Sequence, residues 1–462
     1  MSTSAVDVGR RPALERRAAV AAEPWFSWAG AISLLVLVVW AVPIKTYRLP
    51  VHLPFSLELY RLLLIVFIGA WAVAIVTGRR GISAAGLGKP IALLGAVSVL
   101  SIVANTHELT GAGLETQAVK SLSYFLSFLV AYLLVCSTLQ SLSAVELVVR
   151  ALVLGAAAIA VAAIYEARTN YDVFDHLHKW FSFFEPTRDV KESAKRGTRL
   201  RVRASAQHPI ALGAALTMAM PLAAYLASQA KTKARSYFWG CVGLLVVVGA
   251  LMTVSRTVVS MVVAMAVVAL IVRKRVVTRF WPVAIVLGIA VHVAAPHTLG
   301  SLYHSFKPKG GLVHAQSGRE GAVGSGRVAD IAPGIRSWKQ APFLGHGLGT
   351  GKVARSNEPG AIVDPKTGEP IIFDDQYLNS LVSIGFLGLA GVLWFVWGAV
   401  RRLVGSARRR FDAAGDLMAA CAIACAGFGV AMLTFDAFAF VQCTLIFFLV
   451  AAIGLRARAL VE

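Results

Sequence analysis

Long apolar runs separated by short polar or basic stretches recur along the whole chain. Each run is roughly 16–22 residues, close to the length a bilayer core demands of a helix. Twelve spans are predicted. The first nine are Phe26–Ile44, Leu57–Val76, Pro90–Ala104, Ser121–Cys136, Leu147–Tyr165, Pro209–Ala227, Tyr237–Val254, Thr257–Val272 and Phe280–Ala295. The last three are Leu378–Val400, Leu417–Thr434 and Phe438–Leu455. Lipid offers the backbone no hydrogen-bond partners, so each span is expected to be helical. The expected fold is therefore an all-α polytopic membrane protein of about twelve transmembrane helices. No small-residue cleavage pattern follows the first run, which reads as an uncleaved span rather than a signal peptide.

The polar intervals divide the chain into a tail (1–25), nine spans (26–296) interrupted by a loop at 166–208, a large loop (297–377), and three spans with a short tail (378–462). Alternate short intervals carry Arg79, Arg80 and Lys89, then Lys231, Lys233 and Arg235, then Arg273, Lys274, Arg275 and Arg279, then Arg401, Arg402, Arg408, Arg409 and Arg410. The tails add Arg10, Arg11, Arg16, Arg17, Arg456 and Arg458. With twelve spans all of these fall on one side. The positive-inside rule makes that side the cytoplasm, with both termini inside and the two long loops outside. Loops as long as 297–377 in a compact protein are usually functional.

Composition sharpens this picture. Of 462 residues 57% are hydrophobic and 15% charged, too apolar for a soluble chain of this length. The net charge of +21 is divided among many loops, so it reads as topology signal and headgroup contact, and a nucleic-acid partner is rejected. Cys136, Cys241, Cys421, Cys425 and Cys443 lie in or beside apolar spans, where the expected role is helix packing. No cluster of His, Cys and carboxylates has metal-ligand spacing in the outer loops beyond the pair Asp374–Asp375, and no cofactor motif is present.

Ionisable groups at membrane depth are costly and point to function. Here they collect at the predicted outer edge: Glu58 and Arg61, Glu166 and Arg168, Arg256 in a very short turn, Asp374 and Asp375, and Asp436. A conduction path places polar groups near the bilayer midplane instead, which argues against a transporter or flippase. The placement suits a site that accepts something anionic and partly lipidic. Bland roles compete with this reading. Arg61 can pair with Glu58, Asp374 or Asp375 can cap the helix that follows, and His346 sits in a glycine-rich turn.

Several motifs stand in a familiar order. Arg203-Ala204-Ser205-Ala206-Gln207-His208-Pro209 leads into a span, followed by Ser255-Arg256-Thr257 and Ser325-Gly326-Arg327. Then come Trp338, Pro342-Phe343-Leu344-Gly345-His346-Gly347-Leu348-Gly349, and Asp374-Asp375-Gln376-Tyr377-Leu378 with Gly385 and Gly388. The set resembles the O-antigen ligase and Wzy-type polysaccharide polymerase family. That resemblance implies a metal-independent membrane glycosyltransferase that uses no cofactor. It implies a polyprenyl (undecaprenyl) diphosphate-linked glycan as donor and an acceptor glycan, with a chain-length regulator or other polysaccharide-assembly proteins as further partners. Carried over to this chain, it assigns Asp374, Arg256 and Arg327 to the chemistry and Arg203, His346 and Asp375 to substrate binding; the outer-edge position of Arg61 adds that residue to the expected substrate-binding set. Ligases of the family typically have His-Asn or a similar pair at Asp374–Asp375, and this departure favours the polymerase branch. Independently, arginine's always-charged planar fork suits a diphosphate leaving group, and a carboxylate can accept a hydroxyl proton.

Overall fold

The computed structural model describes residues 27–50, 57–186, 195–196, 199–279, 330–350 and 373–462. Helices dominate them. The first group is α1 (Trp28–Ala41), α2 (Leu59–Val76), α3 (Gly88–Ala104), the short α4 (Thr106–Gly111), α5 (Glu115–Thr138) and α6 (Leu142–Thr169). The second is α7 (Pro209–Ser228), α8 (Lys233–Met252), α9 (Arg256–Arg279), α10 (Ile331–Trp338), α11 (Gln376–Arg409), α12 (Ala413–Ala431) and α13 (Val441–Val461). Among the described residues nine helices are long and apolar enough to cross a membrane, and α1 and α3 are shorter apolar helices. The chain is an all-α, multi-pass membrane protein. The predicted span Phe280–Ala295 lies outside the described residues.

Local chemistry sets where helices begin. Ser27, Ser141, Thr232 and Asp412 each accept a backbone N–H from the first turn of α1, α6, α8 and α12, satisfying a donor that the helix cannot. Pro209 opens α7, where its missing N–H costs nothing. Several helices outrun their predicted spans, and two show why. The tenth predicted span stops at Val400, yet α11 runs on to Arg409, because arginine is a good helix former and a charge ends the apolar span without ending the helix. The eighth stops at Val272, whereas α9 continues past a kink at Arg273 (φ −139°, ψ 49°). The Arg273 guanidinium holds the kink by donating to Asp416 at 2.9 Å and to the Ala407 and Arg410 carbonyls at 2.7 Å.

Helices α7, α12 and α13 form the centre, with about three quarters of each apolar window buried. About two thirds of α12 is Ala, Gly and Cys, so its neighbours approach closely. A side chain at Gly454 of α13 would meet Cys421 Cβ at 2.6 Å, which accounts for Cys421 as a small packing residue. Stacked rings join α13 to α11 and to α12: Phe395 on Phe448 and Phe428 on Phe447, both with centroids 4.7 Å apart. Two two-residue antiparallel ladders, Tyr47–Arg48 with Glu185–Pro186 and Lys195–Arg196 with Arg199–Leu200, and two 3-10 helices, Val173–Lys179 and Ala437–Ala439, complete the described secondary structure.

Candidate functional site

The turn 432–440, between α12 and α13, and the first residue of α13 together collect contacts from four other parts of the chain. Thr434 hydrogen-bonds Thr257, in the first turn of α9, at 2.8 Å. Gln376, the first residue of α11, donates its N–H to the Met432 carbonyl at 2.8 Å, and its side-chain oxygen accepts from Phe438 N at 2.6 Å. Gln207, just before α7, accepts from Val441 N at 2.9 Å. Lys45, after α1, donates to the Ala439 carbonyl at 2.9 Å. The starts of α7, α9 and α11 thus converge on one turn at the end of the bundle opposite the Arg79–Arg80 and Arg408–Arg410 loops.

This convergence draws together the segments that carry Arg256 and Asp374. Arg256 immediately precedes Thr257 and Asp374 lies two residues before Gln376; both are partly buried. Asp375 caps α11, its Oδ1 accepting from Tyr377 N at 2.7 Å and Leu378 N at 3.2 Å. Asp436 is buried in the turn itself. It lines a cavity of about 30 Å³ with Gln376, Asn379, Ser380, Ser383, Ser121 and Gly349, room for one or two waters. Gln207, Thr257, Gln376 and Thr434 carry this organisation, and sequence reasoning gave them no role. Gln207 and Gln376 lie inside motifs quoted for the resemblance; Thr434 carries no motif.

The other expected site residues lie in different surroundings. Arg61 is buried. Its guanidinium sits 3.8 Å from the Tyr124 ring centre, donates to Tyr60 Oη at 3.2 Å and Ser123 Oγ at 3.3 Å, and faces Glu58 at 3.9 Å. Glu58 in turn accepts from Tyr124 Oη at 3.1 Å and Lys45 N at 3.0 Å, so this polar group adjoins the turn through Lys45. Arg203 binds Asp175 and lies 3.5 Å from Asp172, while its own N–H and that of Ala204 donate to Glu166. The arrangement braces the strand-like lead into α7 against the end of α6. Burial, with the Glu166 and Asp175 carboxyls nearby, pushes the Asp172 carboxyl up to about 7.

His346 belongs to a loop docked on a break in α11. Gly385 interrupts that helix with φ 70° and ψ −173°. The freed Val382 and Ser383 carbonyls accept from His346 N and Gly347 N, both at 3.0 Å, and Phe386 N donates to the Pro342 carbonyl at 2.8 Å. The His346 ring contacts the Ser337 hydroxyl and carbonyl at 3.2 and 3.0 Å. Arg327 lies outside the described residues.

In this multi-pass all-α membrane protein Thr257, next to Arg256, and Gln376, two residues after Asp374, are hydrogen-bonded to one turn. Residues 241–393, about a third of the chain, match the family model Wzy_C, described as O-Antigen ligase. This stretch is similar to the O-antigen ligase family and contains Arg256, Arg327, His346, Asp374 and Asp375. The family supports glycan ligase- or polymerase-type activity on lipid-linked glycans. No curated protein matches the chain.

Proposed function

We propose that the chain is a polysaccharide polymerase. It transfers glycan units from a polyprenyl diphosphate carrier to an acceptor glycan at the outer face of the cytoplasmic membrane, without a metal. The observation that supports this most is the shared seat of α9 and α11 on the turn 432–440. It brings an arginine-bearing and a carboxylate-bearing helix start to one place.

In this reading Asp374 takes the proton of the acceptor hydroxyl as its oxygen attacks the anomeric carbon. The bond from that carbon to the diphosphate breaks, and the electron pair leaves with the diphosphate. Arg256 and Arg327 hold the diphosphate oxygens and stabilise the charge that develops there, as a metal ion otherwise does. Arg61 and Arg203, engaged with Glu58 and with Asp172 and Asp175, position the α2 and α7 ends around the substrate. His346 acts through the docked loop that completes the small cavity. Asp375 orients Asp374 by capping α11.

The family description favours a second reading, transfer of a finished glycan to a lipid or protein acceptor. Extracts of a deletion strain separate the two: single units left on the carrier mark a polymerase, and long chains stranded on it mark a ligase. The catalytic proposal is tested with Arg256→Lys and Arg327→Lys. Lysine keeps the charge and loses the planar fork, so each variant should lose roughly ten- to hundredfold in rate at normal expression. Arg408→Lys, at the basic end, serves as the control. Near-normal glycan assembly by both variants would place the diphosphate elsewhere.

A further inference from the structure

At the opposite, basic end of the bundle, α11 and α13 border a groove of about 760 Å³. Its lining changes character along its length. Leu393, Trp394 and Trp397 lie toward the middle of α11, and the two tryptophans are 44% and 40% exposed. Beyond them come Arg401, Arg402 and Arg409 of α11 and Arg458 of α13, against the single carboxylate Glu462.

That carboxylate is already engaged. Glu462 pairs with Arg458 at 2.5 Å and accepts from the Ser406 hydroxyl, and Arg458 Nε donates to the same hydroxyl at 3.0 Å. Arg402 donates to the Gly398 carbonyl of its own helix over a long 3.3 Å. Arg402 and Arg458 both crowd the loop at Gly86: a side chain there would meet their nitrogens at 3.4 and 3.8 Å. Like charges this close, beside a groove, favour an anion between them. A topology signal needs basic residues at this end, but it needs neither a cavity nor tryptophans leading into one.

We propose that this groove binds an anionic phospholipid. Its phosphate sits between Arg402 and Arg458, flanked by Arg401 and Arg409, and an acyl chain runs along Leu393, Trp394 and Trp397. The volume suits a small-molecule site. Basic pockets between helices at the membrane surface hold anionic headgroups in this way, and tryptophan favours the headgroup level. The proposal is independent of the transfer reaction and of which membrane face the groove occupies.

The test uses the full-length purified protein, delipidated in detergent. Native mass spectrometry counts retained lipid after addition of phosphatidylglycerol or phosphatidylcholine, and thermal unfolding is followed in parallel. The wild-type chain should retain phosphatidylglycerol preferentially and melt higher with it. Arg401→Gln/Arg402→Gln should weaken that retention roughly tenfold or more, and the exposed single variant Arg401→Gln should weaken it less. Arg235→Gln, in the basic first turn of α8, should leave it unchanged. Equal retention of both lipids by the wild-type chain overturns the proposal, and this result depends on no variant folding. Equal loss in Arg235→Gln also overturns it, by showing general surface attraction. Stabilisation by inorganic pyrophosphate to the same extent as by phosphatidylglycerol identifies a soluble-anion site and overturns the lipid assignment.

Discussion

Replacing Gly385 by alanine attacks the break in α11. Its backbone, at φ 70° and ψ −173°, lies in a region that only glycine adopts readily. The new Cβ would lie 2.1 Å from the Phe343 carbonyl oxygen and 2.2 Å from its carbon, both main-chain atoms that cannot rotate away. The loop 342–347 must then undock. Four hydrogen bonds are at stake: His346 N to Val382, Gly347 N to Ser383, Phe386 N to Pro342 and Leu387 N to Phe343, at 3.0, 3.0, 2.8 and 3.4 Å. At about 0.5–1.5 kcal/mol net each they contribute about 2–6 kcal/mol. Backbone strain adds about 1–3 kcal/mol if the break is retained. Against a typical stability of about 5–15 kcal/mol this is a severe loss. It should appear as a large drop in melting temperature in detergent, with new protease cleavage between Lys339 and Thr350. Gly345→Ala should reproduce it, since its Cβ would meet the Ser383 carbon and Val382 oxygen at 2.5 Å. The two losses should not add, because one interface is removed in both. Gly69→Ala, with nothing within 4 Å, is the control. Unchanged melting and cleavage in Gly385→Ala would refute the docking argument.

Three further outcomes follow from the same geometry. Asp374→Asn should abolish most glycan transfer while leaving stability intact, whereas Asp375→Ala should cost about 0.5–2 kcal/mol by removing the α11 cap; melting curves and turnover measured on both variants check the division of roles, and equal turnover in the two would sink it. The Asp172 carboxyl, pushed from its ordinary 3.8 to about 7, keeps in the folded chain a proton that the unfolded chain releases. Stability should therefore fall between about pH 4 and about pH 7 and level off above, and Asp172→Asn should flatten that stretch of the melting-temperature profile. Purified enzyme should keep its activity through chelation with EDTA; loss of turnover restored by Mg²⁺ or Mn²⁺ would make Asp374 and Asp375 metal ligands instead.

Much of the architecture was legible in the chain because the bilayer imposes a one-dimensional rule. Apolar length alone marks Leu57–Val76 or Pro209–Ala227 as spans, since an unpaired backbone in lipid is too costly to tolerate. Small residues such as Cys421 and Cys425 announce close helix packing before any neighbour is known. The motif order from Arg203 to Gly388 likewise carried the family resemblance, because those residues stand in fixed sequence relation to the spans. Helix ends were less legible: hydropathy stops at Val400, but backbone hydrogen bonding continues to Arg409.

Which polar residues meet was decided only by the tertiary structure. A charged residue reads the same in sequence whether its partner is a neighbour or a ligand. Arg203 looked like one of a basic cluster, and folding set it against Asp172 and Asp175, carboxylates about thirty positions earlier in the chain. Arg61 became the centre of a buried tyrosine and serine group, with Tyr124 and Ser123 supplied by another helix. Thr257 and Thr434 are separated by 177 positions and form one hydrogen bond. Gly345 and Gly385 look like ordinary loop and helix glycines until their two backbones are brought into contact. Span length is a local property that each segment satisfies alone against lipid; these pairings are non-local and depend on how the whole bundle closes.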